Sequence, residues 1–251
     1  PAPAAAHRLL PALPVPRRLL ESLSYGLVAA AALFALLLRF VRMPYGRYST
    51  RRFGCPVPAR LAWALQELPA LLVPVGLSLF SGAARVSEWP NRVLLALFIG
   101  HYAHRYQRGS LGRTLIFCIY NGYLQGRSLS NYAEYPSGWL KGPCFIVGEL
   151  NKSMLGMTIN IYSDHILRNL RKPGETGYKI PRGGLFEYVT GANFFGEILE
   201  WFGFALASCT IESAAFAICT FFILGSRAHQ HHQNIYRIDF IVVFWTLYVA
   251  C

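Results

Sequence analysis

Charge is scarce in this chain, and acidic charge scarcest of all. Only 14 % of its 251 residues are charged, with 12 Asp and Glu against 24 Lys and Arg. Soluble domains carry about 25 % charged residues, so there is too little here to cover a wholly water-facing surface. Nucleotide-binding fingerprints are lacking as well. No GxGxxG and no GxxxxGK[ST] occurs, which leaves a Rossmann or P-loop site unsupported. No CxxC pair occurs among the six cysteines, Cys55, Cys118, Cys144, Cys209, Cys219 and Cys251. That excludes a zinc ribbon and a disulfide framework, and most of these thiols are expected to be reduced and packed. Internal repeats and heptads are absent too.

What is present is hydrophobic: 54 % of the residues are apolar, in stretches that recur along the chain. One soluble core does not need so many, but a bilayer does. The basic residues lie between these stretches. In that position they keep loops on the cytoplasmic side of a membrane or hold phosphates. A nucleic-acid binder would gather them on one surface, so nucleic acid is not an expected partner.

The chain opens PAPAAAHRLLPALPVPRRLLES. Its Pro and Ala content reads as a disordered leader over residues 1–22, not as a signal peptide. The membrane domain is expected over 23–232. Its first span candidate runs from Leu23 to Val41, with Arg39 and Arg42 placed to snorkel; the second runs from Leu61 to Phe80. Val93 to Ala103 and Leu115 to Leu124 are apolar but short of the roughly 20 residues a crossing needs. Phe145 to Tyr162 is broken by ELNKS, whose Asn151-Lys152-Ser153 sequon is a chance match. KPGE and PRGG mark turns in the polar stretch that follows. Ile198 to Ser208 and Ala214 to Leu224 are apolar again. The tail over 233–251 ends in FIVVFWTLYVAC, a 12-residue run too short to cross and expected to pack poorly.

A few polar residues stand out against this background. Glu67 lies inside a span, where an ionised carboxylate costs at least ~2.5 kcal/mol; the neutral acid is the expected form. Either it hydrogen-bonds a neighbouring helix or it serves a cavity opened by Pro69, which frees backbone carbonyls. His101, Tyr102, His104 and Arg105 form HYAHR, in isolation an interfacial belt. Arg168, Arg171, Lys172, Lys179 and Arg182 crowd one loop, suited either to the positive-inside rule or to phosphates. His229, His231 and His232 lack carboxylate or Cys partners at metal-binding spacing, so no metal is expected.

The blocks VPARLAWALQELP, HYAHR, FCIYNGYLQGRSLS, GMTINIYSDHILRNLRKPGETGYKIPRGGLFEYVTGANFFGEILEW and GFALAS resemble the steroid 5α-reductases, most closely their type 1 branch. The resemblance covers most of the chain from Pro56 to Arg227. There are departures. The family's NIHSD is NIYSD here, with Tyr162. The segment between Arg105 and Phe117 is shorter, ELNKS replaces apolar residues, and the sequence after Arg227 diverges.

The resemblance implies an all-α bundle of about seven membrane helices in the endoplasmic reticulum membrane. It implies an NADPH-dependent reduction of 3-oxo-4-ene steroids, with the steroid and the lipid bilayer as partners. Glu67 and Tyr102 match the family's catalytic pair, and both are expected to face one cavity. Asn160, Asp164, Arg171, Tyr178, Asn193, Arg227 and His231 match its cofactor positions; Arg113 and Phe117 match its substrate positions. Two other readings stay open: a related membrane enoyl reductase or methyltransferase, and an inactive copy that keeps only the fold.

Overall fold

Apolar runs punctuated by Pro and Gly become helices in the computed structural model, which describes residues 16–40, 59–80, 84–106, 115–171, 175 and 179–236. Every regular element among the described residues is helical, as the composition requires. The helices gather into two units. One holds the start of α1 (Arg17–Leu37) with α2 (Ala59–Phe80), α3 (Trp89–Tyr106) and α4 (Leu115–Arg127). The other holds the rest of α1 with α5 (Pro143–Phe145), α6 (Met154–Asn169), α7 (Ala192–Ser208) and α8 (Ile211–Tyr236). The helix begins at Arg17, so the last six residues of the expected leader are helical.

In the first unit, glycine decides which faces meet. The buried face of α2 carries Glu67, Ala70 and Pro74, spaced i, i+3 and i+7 as one helix stripe requires. Gly122 and Gly126, one turn apart on α4, lie against it. A Cβ on Gly122 would stand 3.1 Å from Ala70 Cα and 3.2 Å from the Pro69 carbonyl oxygen. One on Gly126 would stand 2.8 Å from Pro74 Cα. Small residues four apart allow such backbone contact, the usual device where lipid removes the hydrophobic drive between helices. The prolines in turn cost α2 two backbone donors.

α4 ends in a π-helical turn, Ser128–Tyr132. Such a turn disturbs the backbone ladder, and a neighbour helix repairs it here. The buried Asn91 of α3 donates from Nδ2 to the carbonyls of Leu129 at 2.8 Å and Ala133 at 2.9 Å. α3 itself runs for 18 residues, well beyond the 11-residue apolar run, because WPNR and HYAHRY extend it at both ends.

In the second unit, ELNKS does not interrupt the helix. It forms part of a π-helical segment, Ile146–Ser153, that leads from α5 into α6. The reason is a glycine seam against α7. Built Cβ atoms on Gly148 and Gly203 would each meet the other's carbonyl oxygen at 2.5 Å. On Gly156 and Gly196 the corresponding distances are 2.5 and 2.7 Å. Numbers rise on one side of the seam as they fall on the other, so the two helices are antiparallel and touch backbone to backbone. That contact holds the polar segment in place although its composition argues for a break. At the far side of this unit, Gln230 Nε2 of α8 donates to the Leu38 carbonyl just past α1, at 2.6 Å.

Among the described residues, two helices, α1 and α8, are long and apolar enough to cross a bilayer. α8 spans 26 residues, taking in AHQHHQNIY beyond the apolar run. Of the tail expected over 233–251, residues through Tyr236 belong to this helix; the rest lies outside the described residues.

Candidate functional site

The polar residues of α2–α4 converge on α4. Glu67 and Tyr102 are both buried, each about 5 % exposed. Tyr102 lies on the buried stripe of α3, below Phe98 and beside His101. Asn121 of α4 donates from Nδ2 to the Tyr102 hydroxyl oxygen at 3.2 Å. Its own Oδ1 accepts from Gln125 Nε2, one turn on, at 3.3 Å. The next residue, Gly122, sits against Pro69 and Ala70, one turn from Glu67 on the same face of α2. Adjacent residues of α4 therefore meet the tyrosine on α3 and the glutamate-bearing face of α2.

This arrangement has a chemical direction. A phenol that accepts a hydrogen bond can still donate its own proton. The relay from Gln125 through Asn121 orients the Tyr102 oxygen, and a carbonyl oxygen placed at the hydroxyl would receive the donated bond. Asn121 and Gln125 were not among the residues expected from the sequence. Their signal was present: two amides at i and i+4 in an apolar helix. Phe117 lies half-buried in the first turn of α4; Arg113 lies outside the described residues.

The second cluster lies within the other unit. Asn160, Asp164 and Arg168 follow at i, i+4 and i+8 along α6, and Arg171 comes just past its end, exposed. Asn160 Nδ2 donates to the Asn193 carbonyl at 2.8 Å, which joins α6 to the first turn of α7. Phe194, next in sequence, places its ring 6.0 Å from that of His231 on α8. Arg227 is one turn before His231, and both are partly buried. Five of the seven expected cofactor residues are thus linked through α6, α7 and α8 or stand on the same helix face. Arg171 follows at the end of α6, and Tyr178 lies outside the described residues. A further contact that the sequence did not suggest pairs the Thr190 hydroxyl with His232 Nδ1 at 2.7 Å, across a cleft also lined by Gly191, Phe194 and Ala228.

The PRGG turn borders this cluster. Gly183 and Gly184 have φ of +89° and +55°, values that only glycine adopts readily. A side chain at Gly184 would meet the ring of Tyr162 at 2.6 Å, so the residue that departs from NIHSD packs against the turn. Glu187 closes the turn by accepting from the Gly183 N–H at 2.6 Å. That bond, with help from Arg182, holds its carboxyl below the ordinary value of 4.5. A lowered folded value means the contact stabilises the turn fully above the unfolded value and is lost as pH falls through the folded one. Acid proteolysis between residues 181 and 191 should therefore rise as pH drops below about 4.5. Glu187→Gln should remove that dependence; an unchanged profile in the variant would sink this account of the turn.

Comparison with known proteins places the chain in a family. The family model for 3-oxo-5-alpha-steroid 4-dehydrogenase matches residues 110–240. The Bos taurus protein named 3-oxo-5-alpha-steroid 4-dehydrogenase 1 is 50 % identical over 86 % of this chain and 90 % of its own length. The Homo sapiens type 1 protein is 48 % identical over 86 % of this chain and 88 % of its own. The Homo sapiens type 2 protein is 45 % identical over 83 % and 87 %. A match of this extent leaves one conclusion: the chain belongs to the 3-oxo-5-alpha-steroid 4-dehydrogenase family, on its type 1 side.

Proposed function

We propose that this chain reduces the 4,5 double bond of 3-oxo-4-ene steroids to 5α-dihydrosteroids with NADPH, as a multi-pass protein of the endoplasmic reticulum membrane. Relatives named for this activity at about half identity support the reaction class. The observation that carries the chemistry is the buried relay Gln125–Asn121–Tyr102 beside the Glu67 face of α2.

A carbon–carbon double bond accepts hydride only when its electrons have somewhere to go. In an enone they move to the carbonyl oxygen, which becomes an enolate. Tyr102 donates to that oxygen, and Glu67, as a neutral acid, reinforces the donor. A carboxylic acid held protonated in an apolar site is an effective hydrogen-bond donor for this purpose. Donors fixed before the reaction stabilise the developing charge without reorganisation. NADPH, when bound, would supply a hydride for carbon 5, and a proton would complete carbon 4.

The second cluster fits the cofactor by its donor set. Arg171 and Arg227 offer planar, permanently charged forks suited to phosphate, while Asn160 and Asn193 bring amide and carbonyl groups together. Asp164 and His231 complete the lining, with Tyr178 assigned by family resemblance; Arg113 and Phe117 are assigned to the steroid in the same way. The pocket faces the cytoplasm, and the count of about seven crossings extends the two spans that length and apolarity support.

The test is NADPH binding to the purified full chain, followed by steroid enone reduction. Arg171→Ala should weaken NADPH roughly 10- to 100-fold, the loss of one charge-assisted pair. Unchanged affinity would remove Arg171 from the phosphate site. A chain that bound S-adenosylmethionine and not NADPH would overturn the reductase reading itself.

A further inference from the structure

We propose that Cys144 and Cys209 form a redox-controlled disulfide that ties the start of the α5–α6 run to the turn between α7 and α8. The glycine seam sets this pairing. Gly148 lies against both Gly203 and Ala207, with built-Cβ distances of 2.5 and 2.6 Å. Cys144 is one turn before Gly148, and Cys209 is two residues past Ala207. The antiparallel register therefore brings the two cysteines opposite each other at the end of the seam. Both thiols are free in the structure, and Cys144 lies within interaction range of the Cys209 side chain.

Cys209 occupies an unusual backbone position. It closes α7 with φ of +46°, the one non-glycine residue with positive φ among those described. Helices commonly end in this left-handed conformation, but with Gly or Asn there. A cysteine gives up that ease, and a covalent tether to α5 is a compensating gain. The residue is exposed, so a small disulfide can reach it. Burial first, and the neighbouring Cys144 thiol second, push the Cys209 thiol above its ordinary range. Little thiolate is then present at neutral pH, which suits a slowly formed structural bridge and not a catalytic nucleophile.

The position within the fold also suits oxidation. The cofactor cluster sits at the C-terminal end of α6, the start of α7 and the far end of α8. Cys144 and Cys209 sit at the opposite ends of the α5–α6 run and α7, 16 residues from Asn160 and from Asn193 respectively, roughly 24 Å along a helix at 1.5 Å per residue, with Arg171 farther still. A pocket on the cytoplasmic face then places the thiols at the lumenal face, where disulfides persist. This placing rests on the proposed function; the pairing of the two thiols does not.

The chemistry balances by exchange with a low-molecular-weight disulfide of the glutathione type. The Cys209 thiolate attacks one sulfur, forming a mixed disulfide and expelling one small thiolate. The Cys144 thiol loses its proton and attacks Cys209 sulfur, closing the protein disulfide and expelling the second small thiolate. Both expelled thiolates are protonated. Two protein thiols are oxidised and one small disulfide is reduced.

The experiment uses the full chain in detergent, equilibrated with oxidised glutathione, alkylated and digested without reduction. Mass spectrometry should find the Cys144 peptide joined to the Cys209 peptide, and reductant should release them. Melting of the oxidised chain should lie roughly 5–10 °C above the reduced chain, and this difference should vanish in Cys144→Ser and in Cys209→Ser. Both cysteines carrying the alkylating label after oxidation would overturn the proposal. So would glutathione held on Cys209 with no cross-linked peptide. Neither readout depends on NADPH or steroid turnover, so failure here is distinct from failure of the reductase reading.

Discussion

Replacing Glu67 by Gln should lower steroid turnover about 100- to 1,000-fold while leaving NADPH affinity within about twofold, the range for removing one preorganised donor at a developing oxyanion. Gln keeps the size of the side chain and its place on the α2 face with Ala70 and Pro74. What it loses is acidity. A carboxylic acid can strengthen its hydrogen bond as charge grows on the steroid oxygen, whereas an amide N–H follows that charge weakly. The loss should therefore fall on the chemical step. Asn121→Leu should show a smaller defect of the same kind, because Asn121 orients the Tyr102 hydroxyl. Rates with saturating steroid and NADPH, set beside direct NADPH titration, measure both quantities. Equal losses in turnover and NADPH affinity would mean that Glu67 holds the fold together and has no special part at the oxygen.

The other large effect is structural. Gly203→Val should prevent stable assembly of the α5–α8 unit, seen as a drop in melting temperature of 10 °C or more or as loss of detergent-stable protein; overpacking alone costs about 1–3 kcal/mol and often more where backbone must move. A Cβ at Gly203 would stand 2.4 Å from the Ser153 nitrogen and 2.5 Å from the Gly148 carbonyl oxygen. These are backbone atoms, with no flexible side chain to swing aside. Gly100 gives the contrast, since a Cβ there would meet nothing within 4 Å. Gly100→Ala should leave melting within about 2 °C or raise it slightly, because Ala favours helix over Gly. A Gly203→Val protein as stable as the parent would mean that α7 and the π-helical segment do not run backbone to backbone.

Much of the protein was open to reading from residues alone. Scarce charge and recurrent apolar runs led to helices because a hydrophobic segment in lipid must satisfy its own backbone. PRGG pointed to a turn because glycine there tolerates positive φ, and Gly183 and Gly184 both have it. Glu67 and Tyr102 drew attention because polar groups in apolar helices are costly, and both prove to be buried. The family blocks identified the chain without help from geometry.

What escaped were properties of pairs distant in sequence. The HYAHR block in isolation resembled an interfacial belt, yet Tyr102 is buried because Asn121 on another helix receives it. ELNKS looked like a break, yet it stays helical because Gly148 and Gly156 bring the segment against Gly203 and Gly196. Cysteines 65 positions apart in number looked unrelated until the antiparallel seam set them face to face. Composition and local pattern determined that this chain is helical and rich in apolar segments, since those follow from the free energy of each segment in its surroundings; its family came from the resemblance of whole sequence blocks. Tertiary structure alone decided which helix faces touch and which polar atoms meet, since these depend on backbone approach between segments that no local pattern encodes.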